Sequence, residues 1–223
     1  MVMKNRKKIL IISLTLLASF TCAAETVTKG MKKVIDDALD FSVKQSMSMF
    51  YEMKDQKGIL PRTAENGKMI TCESAWWTSG FYPGTLWYCY EYSNDPQIRA
   101  AAEEMTSRVE KQKYTTSNHD VGFIINCSFG NGYRLTHNET YRKVIETAAK
   151  SLSTRFHPVT GCTRSWNSKK WQFSVIIDNM MNLELLNVAS SLTGDNTYYN
   201  MAKSHADRTM INHFRPDGSS YHV

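Results

Sequence analysis

The sequence predicts an all-α fold built from stacked helical hairpins. Apolar residues recur at helical spacing along most of the chain, with little of the two-residue alternation that is typical of strands. Segments that are apolar on most faces alternate with amphipathic segments, and a pattern recurs at a 58-residue offset, as between Tyr141 and Tyr199. These observations predict two layers, with apolar helices inside and amphipathic helices outside.

The first half of the chain contains three predicted helices. Residues 30–51 carry one apolar stripe, and residues 84–92 are aromatic and apolar nearly all round. Residues 57–79 lie between them and are predicted to be a loop. Asp95 and Pro96 form a good N-cap and first-turn pair, which predicts the start of an amphipathic helix.

The same alternation continues in the second half. Residues 120–129 and 178–192 are broadly apolar, as expected of enclosed helices, and Gly194 is a plausible C-cap for the second of them. Residues 137–156 and 196–214 are amphipathic. Because hairpins of this kind bury their faces only by stacking, they form either an open solenoid or a closed α/α ring.

Two aspartates occupy equivalent positions in the repeat. Asp120 and Asp178 each open an apolar segment, and the matches continue downstream at Tyr141/Tyr199, Ala148/Ala206, Phe156/Phe214 and Pro158/Pro216. A lone aspartate before a helix is most often an N-cap. A pair at matching entrances of inner helices instead favours an acid/base site, since a buried carboxylate is costly unless it is paired or functional.

Other candidate site residues lie near the same inner-helix entrances. His119 is either a hydrogen-bond partner of Asp120 or a surface residue, and the sequence leaves both open. Trp76, Trp77, Trp166 and Trp171 all lie in predicted loops, where tryptophans suit the apolar face of a sugar ring. His222 lies one hairpin beyond Asp178. His157, His205 and His213 are expected to be structural.

The first 24 residues have the features of an export signal. Four basic residues precede an apolar run over residues 9–20, and residues 21–24 offer a cleavage site. We therefore expect an exported, periplasmic protein. A second interpretation is a membrane-anchored lipoprotein with a lipid anchor at Cys22.

Charge and cysteine content exclude several functions. Without the signal the net charge falls from +6 to +2, and no basic stripe with interleaved aromatic residues remains, so we expect no nucleic-acid partner. Cys72, Cys89, Cys127 and Cys162 show no metal-ligand spacing and are expected to be free thiols. No metal and no cofactor is predicted.

Four collinear segments resemble the unsaturated glucuronyl hydrolases, glycoside hydrolase family 88. They are WWTSGFYPGTLWYCYE, NHDVGFIINCS, TRSWNSKKWQFSVIIDNMMNLELL and RPDGSSYHV. The resemblance implies an (α/α)6 barrel. It also implies an enzyme that removes a 4,5-unsaturated uronic acid from lyase-generated oligosaccharides by hydrating the C4=C5 double bond, so the carboxylate-spacing rule for ordinary glycosidases does not apply.

The resemblance also implies roles for individual residues. Asp178 matches the general acid/base and Asp120 matches the second essential aspartate. Trp77, His119, Trp166 and His222 match positions that line the substrate pocket. The firmest matches are the two aspartates.

Family members are longer than this chain, which stops within the RPDGSSYHV motif. We therefore expect residues 25–223 to form an incomplete catalytic domain that lacks the C-terminal hairpins and is inactive or poorly folded when expressed alone. Two alternatives stay open. One is an unsaturated rhamnogalacturonyl hydrolase or another toroid carbohydrate enzyme, and the other is a non-catalytic helical-repeat binding module.

Overall fold

A computed structural model describes residues 28–223 of the chain. The predicted signal, residues 1–24, and the proposed anchor at Cys22 lie outside the described residues. The described chain divides into two units, one that ends at Ala38 and one that spans Leu39–Val223. In the described part of the first unit, exposed lysine–aspartate pairs at i,i+4 spacing, such as Lys32–Asp36, support the start of the first helix.

The first part of the fold contains three helices and a strand hairpin. Their bounds are α1 Lys29–Met53, β1 Ile59–Glu65, β2 Lys68–Glu73, α2 Phe81–Ser93 and α3 Pro96–Ser107. Asp95 caps α3 as predicted, because its carboxylate accepts a hydrogen bond from the backbone N–H of Gln97 at 2.7 Å.

The predicted loop over residues 57–79 is wrong in one respect, because most of it forms the antiparallel β1–β2 hairpin. The turn is Asn66-Gly67, and both residues have positive φ, 51° and 74°. Asn-Gly is the preferred pair for such a tight turn because both of its residues tolerate the left-handed region. The two strands show little alternation of apolar and polar residues, because only Leu60 among their residues is fully buried. The sequence therefore carries no strand signal here.

The middle of the chain is a longer helical hairpin. A 3-10 turn, Glu110–Tyr114, leads to α4 Val121–Ile125, which continues through a π-helical turn, Asn126–Gly130, into α5 Asn131–Thr136. The outer helix of this hairpin is α6 Glu139–Ser153, which Asn138 caps by accepting from the N–H of Thr140.

The last part repeats this arrangement. Its bounds are β3 Phe156–His157, β4 Cys162–Thr163, α7 Asn179–Asn182, α8 Glu184–Thr193 and α9 Asn196–Asn212. Gly194 has a φ of 74° and ends α8, as predicted. The bridge Phe156↔Thr163 after α6 has a counterpart in Phe214↔Ser220 after α9, and Phe214 lies at the 58-residue offset of the repeat from Phe156.

The core consists of two clusters of buried apolar residues. One lies around α1, α2 and α3 and includes Leu86, Trp87 and Met105, all with no exposed surface. The other joins α4, α6 and α8 and includes Ile125, Leu152, and Leu186. The all-α prediction is therefore confirmed, with alternating inner and outer helices and two small strand pairs.

At the N-terminal ends of the inner helices, the backbone of one segment packs directly against the backbone of the next. A Cβ placed on Gly80 would lie 2.6 Å from the Cα of Ile124, and one on Gly122 would lie 2.7 Å from the Cα of Asn182. Glycine is therefore required where each inner segment meets the next. Among residues 28–223, no helix combines the length and apolar character needed to cross a bilayer.

Candidate active site

A pocket of about 380 Å³ opens at the inner-helix entrances. All six residues that the family resemblance assigns to the site line it, together with two that it does not assign. The lining consists of Trp77, His119, Asp120, Phe123, Trp166, Ile176, Asp178 and His222.

Neither aspartate in the pocket caps its helix. Asp120 immediately precedes α4 and Asp178 immediately precedes α7, yet neither side chain accepts a capping hydrogen bond. By contrast, Asp95 and Asp195, which precede the outer helices α3 and α9, both cap them. The carboxylates at the inner entrances are thus left available to the pocket.

His119 links the two carboxylates. Its Nε2 atom lies 3.5 Å from Oδ1 of Asp120 and 3.7 Å from Oδ2 of Asp178, and only 2% of the residue is exposed. The backbone N–H of His119 also donates to the carbonyl of Ser165 at 2.9 Å. Of the two interpretations left open, His119 is a buried partner of the aspartates and not a surface residue.

Asn179 fixes the protonation pattern of this histidine. Its amide nitrogen donates to the carbonyl of Thr163 at 2.8 Å and to Oγ of Ser165 at 2.9 Å, so its oxygen must face Nδ1 of His119. An amide oxygen only accepts, and Nδ1 must therefore carry the proton. Asn179 itself is completely buried.

The tautomer determines what the other ring nitrogen can do. With Nδ1 protonated, Nε2 of a neutral His119 carries a lone pair that faces Asp120 and Asp178. Nε2 and the two carboxylates are then three acceptors that repel one another. A proton held between Nε2 and either carboxylate relieves this repulsion. The group is therefore suited to hold and transfer a proton.

The environment of Asp120 favours its protonated form. Burial raises the pKa of this carboxyl and nearby Asp178 raises it further, whereas His119 and Arg155 act in the opposite direction. In Asp178, Oδ1 is buried and has no hydrogen-bond partner among residues 28–223. An unpartnered carboxylate oxygen at a pocket wall is free to meet a ligand.

Aromatic rings form the apolar walls. Trp77 packs edge-on against Phe81 at 5.7 Å between ring centroids and lies 6.3 Å from Phe123. Trp166 lies 6.4 Å from the His119 ring, and its carbonyl accepts from Oγ of Ser174 at 2.9 Å. Exposed rings of this kind suit the apolar face of a sugar.

The two remaining predicted tryptophans lie elsewhere. Trp76 stacks under the guanidinium of Arg62 at 4.0 Å, and Lys170 lies 4.7 Å from the ring of Trp171. Neither lines the pocket. His222 does line it, because its carbonyl accepts from the N–H of Ile177 at 2.9 Å, next to Asp178.

His119, Asp120 and Asp178 also have the donor set of a cation site. One ligand atom from each lies within 4.8 Å of the others, and the second ring nitrogen of His119 is held by Asn179, as is common for metal ligands. The expectation of no metal therefore stays a prediction, and the experiment below tests it.

The sequence did not reveal Phe123, Ile176 or the role of Asn179. Phe123 and Ile176 lie within three residues of the two aspartates, so a helical turn or an extended segment brings them to the same pocket. Asn179 follows Asp178 directly, but its role depends on contacts with residues 14, 16 and 60 positions away. No local pattern reports such contacts.

Comparison with known proteins decides the family. The chain is 47% identical over 150 residues to an unsaturated glucuronyl hydrolase of Formosa agariphila, which covers 66% of this chain and 38% of that protein. It is 33% identical over 196 residues to an unsaturated chondroitin disaccharide hydrolase of Streptococcus pyogenes serotype M1, covering 85% of this chain and 48% of the relative. The chain belongs to the unsaturated glucuronyl hydrolase family. A scan against models of protein families returned no match.

Solved structures agree on the fold. An unsaturated glucuronyl hydrolase described as specific for heparin superposes with a TM-score of 0.78 at 41% identity, over 84% of this chain and 52% of the other. The unsaturated glucuronyl hydrolase of Bacillus sp. GL1 superposes with a TM-score of 0.74 at 29% identity, over 86% and 51%. The fold class is therefore that of the α/α toroid hydrolases. The chain spans about half or less of the length of the curated relatives it matches.

Proposed function

We propose that this chain carries the acid/base centre of a hydrolase that acts on oligosaccharides ending in a 4,5-unsaturated uronic acid. The observation that supports this most directly is the convergence of His119, Asp120 and Asp178 in a tryptophan-walled pocket. Family membership supports the same conclusion, because the named relatives act on unsaturated glucuronyl or chondroitin saccharides.

In the proposed reaction, Asp178 acts as the general acid and then as the base. Its carboxyl donates a proton to C4 of the unsaturated ring, which generates positive charge along C5–O5. The resulting carboxylate stabilises that charge and takes a proton from the water that adds at C5. Water is thus added across the double bond, and the hemiketal formed at C5 opens and releases the remaining saccharide.

Asp120 and His119 support this proton transfer. Because the pKa of Asp120 is raised by burial and by Asp178, it can hold a proton beside its partner. Trp77 and Trp166 are proposed to bind the faces of the sugar, and His222 to line the same pocket. The comparisons favour this function over the rhamnogalacturonyl and binding-module alternatives.

The test is an absorbance assay for loss of the unsaturated bond. Substrates should include unsaturated disaccharides from heparin and chondroitin, with an unsaturated rhamnogalacturonyl disaccharide as the discriminating alternative. The protein carrying this sequence should be assayed at its full natural length, alongside the 223-residue chain. We expect Asp178→Asn to abolish turnover while circular dichroism stays unchanged. Near-normal turnover by Asp178→Asn would refute the assignment, and turnover of only the rhamnogalacturonyl substrate would replace it.

A chelator distinguishes proton chemistry from metal chemistry in the same pocket. A cation bound by His119, Asp120 and Asp178 would occupy the carboxylate oxygens that the proposed mechanism needs for its proton. We therefore expect EDTA to leave the rate unchanged and added Zn²⁺ to inhibit. Loss of activity on chelation, restored by a metal, would show that the centre is a metal site.

Export is proposed on sequence grounds, since residues 1–24 lie outside the described structure. Expression of the chain in a bacterial host, followed by cell fractionation, tests whether the signal is cleaved and in which fraction the product is found. A soluble periplasmic product supports signal cleavage. Membrane retention that Cys22→Ala abolishes supports the lipid anchor.

A further inference from the structure

A second cavity, of about 550 Å³, lies beside the β3–β4 hairpin and shares no lining residue with the acid/base pocket. Its polar lining is basic or neutral: Arg155, Arg164, His157, Asn167 and Gln172 all border it, and no acidic residue does. Phe156 and Phe173 supply apolar surface. A cavity lined by one sign of charge concentrates the opposite charge.

Arg155 is the buried cation of this cavity. Only 7% of the residue is exposed, yet it forms no ion pair with any carboxylate of residues 28–223. Its guanidinium donates to three protein oxygens, namely the carbonyls of Arg164 and Thr116 and, at 3.4 Å, Oδ1 of Asn167. Since a guanidinium has five N–H groups, each terminal nitrogen keeps one without a partner in the described chain.

Arg164 adds a second positive charge. Its Nε donates to the carbonyl of Trp166 at 3.1 Å, and neither of its terminal nitrogens is hydrogen-bonded within residues 28–223. Burial lowers the pKa of Arg155 and repulsion by the Arg164 guanidinium lowers it further, whereas the Asp120 carboxylate acts in the opposite direction. Buried charges in proteins are normally paired. Buried Arg155 has no carboxylate within ion-pair distance among residues 28–223, and half-buried Arg164 lies beside it, so this cavity calls for an anion.

We propose that this cavity binds an oxyanion, the sulfate ester or the carboxylate of an acidic saccharide. The terminal nitrogens of Arg155 and Arg164 keep N–H groups without a partner among residues 28–223, and arginine binds oxyanions through such N–H groups in a planar fork. The cavity is much larger than one ion, so a sugar ring fits beside Phe173 once its anionic group is held. This proposal does not rest on the acid/base chemistry of the first pocket.

The experiment measures, by titration calorimetry, the binding of inorganic sulfate to the protein that carries this sequence at its full natural length. Nuclear magnetic resonance follows the Nε–H signals of Arg155 and Arg164 in parallel. We expect both signals to move with sulfate. Because the substitution removes charge-assisted hydrogen bonds, Arg164→Gln should weaken binding roughly tenfold or more.

Arg99→Gln is the matched control. It makes the same substitution and charge change on α3, where Arg99 pairs with Glu103 in an exposed i,i+4 bridge. We expect its sulfate affinity to equal that of the unchanged chain. Equal affinity in Arg164→Gln, or Arg signals that do not respond to sulfate in the unchanged chain, would overturn the proposal.

Three saccharides identify the source of the anion. N-Acetylglucosamine 6-sulfate that binds more tightly than glucuronate points to a sulfate ester, and the reverse order points to a carboxylate. Neutral N-acetylglucosamine should not bind. Neutral sugar that binds as tightly as either acid contradicts an oxyanion site.

Discussion

At the residue scale, a row of buried polar groups leads from an outer helix to the acid/base centre. His205 on α9 accepts at Nδ1 from the N–H of Thr163, whose carbonyl accepts from the amide of Asn179. Asn179 in turn holds Nδ1 of His119, and Nε2 of His119 faces both aspartates. The protonation state of the pocket is therefore controlled by residues that do not line it.

The position of Asn179 leads to a prediction about the histidine tautomer. In Asn179→Ala the proton of His119 is free to occupy either ring nitrogen, so we expect kcat to fall roughly 10–100-fold with little change in KM, as for other residues that orient a catalytic imidazole. Nitrogen NMR of the imidazole should show an Nδ1–H tautomer in the unchanged chain and a mixture in the variant.

Asn182→Ala provides the matched control for this experiment. Asn182 is also completely buried, and its Oδ1 accepts from the N–H of Phe123 at 2.8 Å, but it forms no hydrogen bond with His119. Both variants should lose about 1–3 kcal/mol of stability, because both leave buried groups unpaired. If Asn182→Ala altered the tautomer equally, or if Asn179→Ala left it unchanged, Asn179 would have a purely structural role.

At the element scale, the sequence predicts outer helices better than inner ones. The stripe over residues 137–156 corresponds to α6 within a few residues, because one face meets the core and the other meets water. The apolar run over residues 120–129 contains α4 and a π-helical turn, and the run over 178–192 is divided between α7 and α8. Segments buried on all sides have no periodic signal, so such breaks leave no trace in the sequence.

Gly122 shows how closely these inner segments must pack. A methyl group here would overlap the backbone of Asn182, which follows Asp178 by one helical turn. Gly122→Ala should therefore force the entrances of α4 and α7 apart and destabilise the chain by about 1–3 kcal/mol, as measured by urea unfolding. We also expect turnover to fall, since Asp120 and Asp178 would separate.

Gly30→Ala is the corresponding control. A Cβ on Gly30 would meet no atom within 4 Å, and the residue lies in α1, so alanine should leave stability unchanged or raise it slightly. Equal stability of the Gly122 and Gly30 variants would show that the α4–α7 contact relaxes without cost.

At the scale of the whole molecule, the 58-residue repeat predicted which parts of the chain meet. It placed Asp120 and Asp178 at equivalent entrances, and the structure brings both to one pocket. The repeat could not predict the β1–β2 hairpin, which has no counterpart at that offset, or the basic cavity around Arg155. That cavity is formed by a helix end and a loop whose side chains meet only after folding.

Global stability should depend on pH through His205. Burial lowers the pKa of this side chain to about 4, aided by the nearby His213 and His119. No part of it is exposed, and Nε2 has no partner within residues 28–223, so protonation would bury an uncompensated charge. In the unfolded chain the pKa returns to about 6.5.

The sign of the effect follows from proton uptake. Between about pH 6.5 and pH 4 the unfolded chain binds a proton at this position that the folded chain does not bind. The free energy of unfolding should therefore fall as pH is lowered through this range, by up to roughly 3 kcal/mol from His205 alone.

Urea unfolding at pH 7.5 and pH 4.5 measures the difference, and His205→Asn should reduce it because asparagine can accept from Thr163 without titrating. His157→Asn, at an exposed position, should leave the pH dependence intact. An equal loss of stability on acidification in the unchanged chain and in His205→Asn would assign the acid sensitivity to other groups.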